Sequence, residues 1–181
     1  MILVIHGTNR TASQSKPVSD FVQTFLNEHY PEEVNILDLS HIPIQAFESS
    51  NMYHSEQISA DIRKIQDEYM IPASKMVFIS PEYNGSFPGI LKLFIDACSI
   101  SQSKETFYHK KALLIGVASG RAGNLRGMEH LTGILMYMNM VIYPNKLPIS
   151  RIETLLDQNN TLNDVNTIKS IQNLLKEFLL F

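Results

Sequence analysis

The feature that most constrains the fold is a stiff polar loop between a buried strand and a helix. Residues 76–79 read Met-Val-Phe-Ile without a polar break, which is typical of a strand buried on both faces. The loop at 81–89 reads Pro-Glu-Tyr-Asn-Gly-Ser-Phe-Pro-Gly, and an apolar helical stretch follows at 90–97. Its prolines fix φ and its glycines permit turns and close approach of the backbone. The loop therefore either holds a flat ligand at the sheet edge or is an ordinary strand–helix connection.

Strand-like apolar runs alternate with amphipathic helical patterns along the whole chain. The predicted strands are residues 2–5, 34–39, 76–79, 112–118 and 141–143. The predicted helices are residues 18–26, 58–69, 90–97, 125–135 and 165–179, with a loop over 40–55. This alternation predicts an α/β fold of three layers, with a five-stranded parallel sheet in the order 2-1-3-4-5 between helices. No repeat or linker interrupts the chain, so we expect residues 1–181 to form one domain.

The loop after the first strand has the composition of an anion site. Residues 7–15 lead into a helix N-terminus, where free N–H groups and the helix dipole favour phosphate. Thr8, Ser13 and Ser15 add hydroxyl groups, and Arg10 adds a charge-assisted donor. The alternative is that these hydroxyls only cap the helix and form turns, a role that suits Ser15. The loop has neither a Walker A nor a G-x-G-x-x-G pattern, which argues against a dinucleotide in a Rossmann cradle.

Composition excludes several classes of function. The net charge of −3 gives no electrostatic footprint for nucleic acid. The single cysteine, Cys98, excludes an intrachain disulfide, and the six histidines lack ligand spacing, so we expect no metal. The apolar run at 2–5 is too short for a signal peptide or a membrane span, which predicts a cytoplasmic protein with no membrane contact. Ser119 stands one place late for a G-x-S-x-G nucleophile.

Three loop motifs together resemble the NADPH-dependent FMN reductase family of flavodoxin-like proteins, which includes quinone, azo-dye and chromate reductases. Residues 7–13 resemble G-S-x-R-x-x-S, with Thr in place of Ser. Residues 81–92 match P-E-Y-N-x-S-x-P-G-x-L-K, and residues 119–124 resemble a looser glycine-rich loop. The likeness covers roughly residues 1–145. Leu93 and Ala97 depart from the Asn and Trp common in the family, which bears on oligomer packing more than on flavin binding.

The resemblance implies a set of site residues. It assigns the FMN phosphate to Thr8, Arg10, Ser13, Gln14 and Ser15. It assigns the isoalloxazine ring to Pro81, Glu82, Tyr83, Asn84 and Gly85, and the pyrimidine side of the ring to Ser119, Gly120 and Gly123. Pro88 and Gly89 would border the pocket for nicotinamide and substrate. Arg121 either attracts the 2′-phosphate of NADPH or is a solvated loop arginine.

The same resemblance implies an FMN-dependent NAD(P)H oxidoreductase. It would transfer hydride in ping-pong order to a small-molecule acceptor such as a quinone, azo compound or free flavin. No side chain need be catalytic, because the flavin carries the chemistry. The alternative is an FMN-bearing electron-transfer or redox-sensing module that does not itself oxidise NAD(P)H. The resemblance also implies a homodimer or homotetramer. In this chain Leu93, Phe94 and residues 136–140 could supply an apolar contact between the subunits.

Overall fold

The computed structural model of the protein describes residues 1–47 and 58–181. A central parallel sheet is built from β1 Ile2–His6, β2 Val34–Asp38, β3 Lys75–Pro81, β4 Lys111–Val117, β5 Val141–Ile142 and β6 Leu147–Ile149. The helices around it are α1 Lys16–His29, α2 Ala60–Ile65, α3 Gly89–Ser99, α4 Ser103–Phe107, α5 Leu125–Tyr137 and α6 Val165–Leu180. The predicted alternation of strands and helices is confirmed.

The strand order is β2-β1-β3-β4-β5, which confirms the sequence prediction. The edge position beside β4 is occupied by two short strands. β5 pairs with the start of β4 at Lys111 and Ala112, and β6 pairs with its end at residues 115–117. β6 was not predicted, because three residues with a central Pro148 give too weak a strand pattern.

Helices cover both faces of the sheet and bury two cores. Side chains of α1 and α6 pack on one face around Val4, Val77 and Ile115. Side chains of α2, α3 and α5 pack on the other face around Leu3 and Phe78. Since both faces are covered, the central strands are continuous apolar runs, and all five residues of β1 are buried.

Two predicted segments differ in detail. The helix expected over 58–69 is α-helical only in α2 and continues as a π-helical turn, Gln66–Met70. The buried Gln66 amide at this turn donates to Cys98 O, at 2.9 Å, and to Thr106 Oγ1, at 3.0 Å. The loop expected over 40–55 contains a 3₁₀ turn, Ile44–Phe47, and the rest of its length from residue 48 lies outside the described residues. In the described ranges, none of the helices is long and apolar enough to cross a membrane.

Candidate active site

A cleft of about 200 Å³ opens at the carboxyl ends of β1, β3 and β4. It is lined by Arg10, Ser13, Gln14, Ser15, Pro81, Glu82, Tyr83, Val117, Ala118, Ser119, Ile152 and Glu153. The strand order explains this convergence, because it places the loops after these three strands side by side at one edge of the sheet. The three loops are called the first, second and third loops below, in chain order.

The first loop brings two serine hydroxyls together at the start of α1. Ser13 Oγ and Ser15 Oγ lie 2.7 Å apart, and Ser15 N donates to Ser13 Oγ at 3.3 Å. Ser15 stands at the N-cap position of α1, as expected, but its side chain does not cap the helix. Its Oγ instead lies 2.9 Å from His6 Nε2. The expected capping role of Ser15 is therefore wrong, and its hydroxyl belongs to a polar cluster beneath the cleft.

His6 and Asp38 complete that cluster from below. They are register partners at the last positions of β1 and β2, and His6 Nδ1 lies 3.0 Å from Asp38 Oδ1. Burial lowers the pKa of His6, although Asp38 opposes this. Burial disfavours ionisation of Asp38, but hydrogen bonds from His6 and Ser40 outweigh that effect and lower its pKa. At neutral pH the cluster therefore contains an ionised Asp38 and a neutral His6.

The second loop turns back on itself in a two-residue hairpin. Tyr83 N donates to Ser86 O at 2.8 Å, and Ser86 N donates to Tyr83 O at 3.0 Å. The central residues have φ of 51° at Asn84 and 78° at Gly85. These positive values define the Asn-Gly turn that tight hairpins favour. Among the described residues, neither central N–H group donates a hydrogen bond, so both are available to a ligand.

Hydrogen bonds fix the second loop to its two neighbours. Glu82 N donates to Val117 O at 2.8 Å, which extends the β3–β4 ladder by one residue. On the other side, the Tyr83 hydroxyl lies 3.0 Å from Thr8 Oγ1. Thr8 is fully buried, so it supports the cleft from beneath rather than lining it.

The third loop is held by a buried asparagine. Asn124 is fully buried with φ of 65° and precedes α5. Its Nδ2 donates to Ser80 O at 2.9 Å and to Pro81 O at 3.1 Å. The end of β3 and the third loop are thereby locked together. Arg151 N also donates to Gly120 O at 3.2 Å, so the chain after β6 passes beside this loop.

The structure unites some of the predicted site residues and separates others. Arg10, Ser13, Gln14, Ser15, Pro81, Glu82, Tyr83 and Ser119 line one cleft. The remaining members lie around it and do not line it: Thr8, Asn84, Gly85, Pro88, Gly89, Gly120, Arg121 and Gly123. Gly89 makes no turn, contrary to expectation, because it is the first residue of α3 with Pro88 as the N-cap. Arg121 is exposed.

Four lining residues were not predicted. Val117 and Ala118 lie where β4 ends, and Ile152 and Glu153 approach from the segment after β6. Identifying β6 would have indicated the second pair, because a strand beside β4 directs the following residues toward the same edge. His6 and Asp38 were also missed as partners, although both follow apolar runs and end neighbouring strands.

The cleft presents chemically distinct ends. Arg10, Ser13 and Gln14 offer a guanidinium, a hydroxyl and an amide near the start of α1, a donor set that fits a phosphate monoester. Pro81 and Tyr83 offer flat surfaces next to the free amides of the hairpin turn. These features fit a ligand with a phosphate at one end and a planar ring at the other, which is the composition of FMN.

A doubly wound α/β protein with a cleft lined by an arginine and hydroxyl groups after β1, and with a hairpin turn after β3, has the architecture of a flavodoxin-like protein. The chain matches the family described as NADPH-dependent FMN reductase over residues 1–154. It therefore belongs to that family, whose members are oxidoreductases with FMN as cofactor and NAD(P)H as co-substrate.

Individual relatives agree with this placement. The chain is 22% identical to a 2-hydroxy-1,4-benzoquinone reductase of Burkholderia over 178 residues, which are 98% of this chain and 93% of that protein. It is 31% identical over 117 residues to an NAD(P)H-dependent FMN reductase of Pseudomonas aeruginosa, covering 63% of this chain and 62% of that one. The structure of FerB, a flavoenzyme NAD(P)H:(acceptor) oxidoreductase from Paracoccus denitrificans, has the same fold. Its TM-score is 0.76 at 20% identity, with 98% of this chain and 93% of FerB covered.

Proposed function

We propose that this protein holds FMN in the cleft and reduces a flat small-molecule acceptor, of the quinone type, at the expense of NAD(P)H in ping-pong order. The observation that carries the proposal is the convergence of Arg10, Ser13 and Ser15 with residues 81–83 and Ser119 in one cleft. Phosphate-binding and ring-binding groups thus share a single site. The relative that acts on a benzoquinone, and is similar over nearly its whole length, supports the acceptor class.

The phosphate end is assigned to the first loop. Arg10 lines the cleft, and its side chain makes no ion pair with any of the residues in the described ranges, so its charge is available to an anion. Ser13, Gln14 and Ser15 line the same end. Thr8 acts from beneath, where its hydroxyl meets Tyr83.

The ring end is assigned to the second and third loops. The main chain around Asn84 and Gly85 would donate to the ring edge, since its N–H groups are left free by the hairpin. Ser119, Gly120 and Gly123 would close the other side of the ring. When bound, FMN supplies the hydride chemistry, taking up a hydride from NAD(P)H and returning the reducing equivalents to an acceptor. The role of the protein is to hold the ring in one orientation relative to the substrates and to exclude other orientations.

We assign the route by which nicotinamide and acceptor reach the flavin ring to the surface beyond the hairpin. Pro88 is the N-cap and Gly89 the first residue of α3, and a Cβ built at Gly89 would lie within 4 Å of none of the residues in 1–47 and 58–181. This open surface leaves room for nicotinamide and acceptor to approach in turn. Arg121 is exposed and is proposed to attract the 2′-phosphate of NADPH.

The phosphate assignment is tested by comparing two flavins. Arg10→Ala should weaken FMN binding more than tenfold, about 1.4 kcal/mol or more, because it removes a charge-assisted contact. Riboflavin lacks the phosphate, so its affinity should be the same in both proteins. Arg63→Ala, at an exposed position of α2, is the control and should change neither affinity. Unchanged FMN affinity in Arg10→Ala would refute the assignment.

Ping-pong order is tested by steady-state kinetics. Initial rates at several fixed quinone concentrations should give parallel double-reciprocal lines against NAD(P)H, because both substrates use one surface in turn. Intersecting lines would show a ternary complex and contradict the proposed order.

Self-association is proposed through the end of α5 and the residues that follow it. Met136 is 60% exposed and Tyr137 is 85% exposed, so large apolar groups face solvent there. The expected contribution of Phe94 is wrong, because that side chain is fully buried in the core. We propose a homodimer or homotetramer, and a monomeric mass by light scattering would contradict it.

A further inference from the structure

A continuous chain of four polar side chains runs from the end of β2 to the floor of the cleft. Asp38 Oδ1 lies 3.0 Å from His6 Nδ1, and His6 Nε2 lies 2.9 Å from Ser15 Oγ. Ser15 Oγ lies 2.7 Å from Ser13 Oγ, and both serines line the cleft. We propose that this chain is a proton-coupled anion site: a phosphate group enters the cleft together with one proton, which resides on His6. The inference rests on the proposed function, because the phosphate is that of FMN.

Without an anion, the direction of each hydrogen bond in the chain is determined by Asp38. Its ionised carboxylate can only accept, and Oδ1 already accepts from Ser40 N at 3.0 Å and Ser40 Oγ at 2.7 Å. His6 must therefore donate from Nδ1. A neutral imidazole then has a lone pair on Nε2, so the hydroxyl proton of Ser15 must point to Nε2.

The direction of the Ser15 hydroxyl also determines the direction of the Ser13 hydroxyl. Since Ser15 has committed its only proton to His6, its oxygen can only accept from Ser13, and Ser13 commits its proton in turn. Both hydroxyl protons then point inward, and lone pairs face the cleft. Two acceptor oxygens repel a phosphate, although the neighbouring Arg10 attracts it. The neutral form of the chain is thus poorly matched to the ligand class that the cleft otherwise fits.

One proton on His6 reverses the chain. Nε2 becomes a donor to Ser15 Oγ, Ser15 is free to donate to Ser13, and Ser13 can donate into the cleft. The phosphate then accepts a hydrogen bond where it previously met a lone pair. By linkage, a ligand that binds more tightly when His6 is protonated must raise the proton affinity of His6. This holds regardless of the route by which the proton reaches His6.

The charges around His6 favour uptake of a proton by His6 when a phosphate binds, rather than a His6 that is protonated at all times. Burial lowers the pKa of His6, with the Asp38 carboxylate opposing and the Lys16 ammonium assisting. Asp20, which forms an ion pair with Lys16, also favours the charged form. Arg10 adds a positive charge at the same cleft, which an entering phosphate neutralises. A dianion therefore removes one obstacle to protonation and adds a favourable field.

The order Asp–His–Ser also occurs in nucleophilic triads, but the geometry here does not serve that role. Ser15 is only 1% exposed, and its oxygen is shared between His6 and Ser13. An attacking serine needs free access to an electrophile. The chain is a positioning device for the anion, and its residues are positioning rather than catalytic residues.

NMR titration of the histidine ring nitrogens tests the proposal directly. In the full-length protein, FMN should raise the pKa of His6 by about one pH unit or more, whereas riboflavin should leave it in place. Calorimetry in buffers of different ionisation enthalpy should show uptake of up to one proton per FMN. The affinity for FMN should weaken about tenfold as pH rises from well below the free pKa of His6 to well above its bound pKa. His109, an exposed loop histidine outside the cleft, is the internal reference.

Matched serine variants separate coupling from binding. Ser15→Ala removes one group of the phosphate end and breaks the chain, so FMN should bind more weakly, through Arg10 and the remaining groups. Proton uptake should disappear, and the pKa of His6 should no longer respond to FMN. Ser19→Ala removes a hydroxyl one turn along α1, where Ser19 Oγ donates to Ser15 O at 3.3 Å, and should keep the full response.

Each result decides between the alternatives. FMN binding with no rise in the pKa of His6 would overturn the inference and leave the proposed function intact. Proton uptake without a His6 response would place the proton on the phosphate and would equally overturn it. No FMN binding at any pH would overturn the proposed function as well.

Discussion

The hydroxyl groups of Thr8 and Tyr83 lie 3.0 Å apart and join the first loop to the second across 75 positions of sequence. Thr8 Oγ1 also accepts from Arg10 N at 3.3 Å. This small network therefore sets the position of the main chain at Arg10 relative to the hairpin. Because the two ends of the cleft are joined by one hydroxyl contact, removing it should affect ligand binding as well as stability.

Tyr83→Phe tests this relationship. Loss of the hydroxyl should lower the free energy of unfolding by about 1 kcal/mol and weaken FMN binding severalfold, because the two loops lose their direct link. Tyr143→Phe is a matched control, since its hydroxyl also makes one hydrogen bond, of 2.9 Å, to Glu177 away from the cleft. Chemical denaturation and fluorescence titration measure the two effects. A loss of FMN affinity as large in Tyr143→Phe as in Tyr83→Phe would contradict the assignment.

Asn124 should be one of the most sensitive positions outside the cleft lining. Asn124→Gly keeps a residue that tolerates φ of 65° but removes the donors to Ser80 O and Pro81 O, and should cost about 2 kcal/mol. Asn124→Asp should cost more, because a carboxylate would face two carbonyl oxygens. Asn139→Gly is the control, since Asn139 has φ of 60° but is exposed. Equal stability of Asn124→Gly and Asn124→Asp would refute the donor role.

Gly116 is required by the close approach of the third loop to β4. A Cβ at Gly116 would lie 2.4 Å from Gly123 O, which is main chain and cannot swing aside. Gly116→Ala should therefore destabilise the protein by about 2 kcal/mol or more and weaken FMN binding by displacing the loop. Gly133→Ala, in α5, places the added carbon within 4 Å of none of the residues that the structure describes and should instead stabilise the helix by about 0.5–1 kcal/mol. Thermal melts compare the pair, and similar shifts in both would contradict this account.

The buried ammonium group of Lys110 should make the folded protein more stable as the pH rises into the alkaline range. Its ammonium donates to Met70 O and Ile71 O at 2.6 Å each, and burial lowers its pKa from 10.5 to about 8. Between these values the unfolded chain binds more protons than the folded protein, so the free energy of unfolding increases with pH. Relative to Lys110→Met, the wild-type protein should gain up to about 1.4 kcal/mol per pH unit in this range. Parallel pH profiles of the two proteins would refute the shift.

The sequence was most informative where one physical signal acts alone. The run Met76–Ile79 is buried on both faces of a parallel sheet, so composition by itself predicted β3. The alternation of five strands with helices predicted the doubly wound strand order, which the structure has. Asn84 and Gly85 form the turn that the loop composition favours. In each case the pattern depends on local or immediately adjacent residues.

Features that depend on distant pairs were not predictable in the same way. His6 contacts Asp38 because the two strands share a register, and nothing in either segment alone indicates it. Ile152 and Glu153 reach the cleft through a strand too short to recognise. Leu93 is partly exposed while Phe94 is buried, a distinction that follows from how α3 packs rather than from its composition.

The visible absorption spectrum of the protein reconstituted with FMN, recorded anaerobically before and after NADPH, tests the central claim most directly. We expect a bound-flavin band that is bleached by NADPH and restored by a quinone. A bound flavin that neither NADPH nor NADH bleaches would contradict the reductase function and favour an electron-transfer module. Failure to bind flavin would contradict the assignment of all three loops.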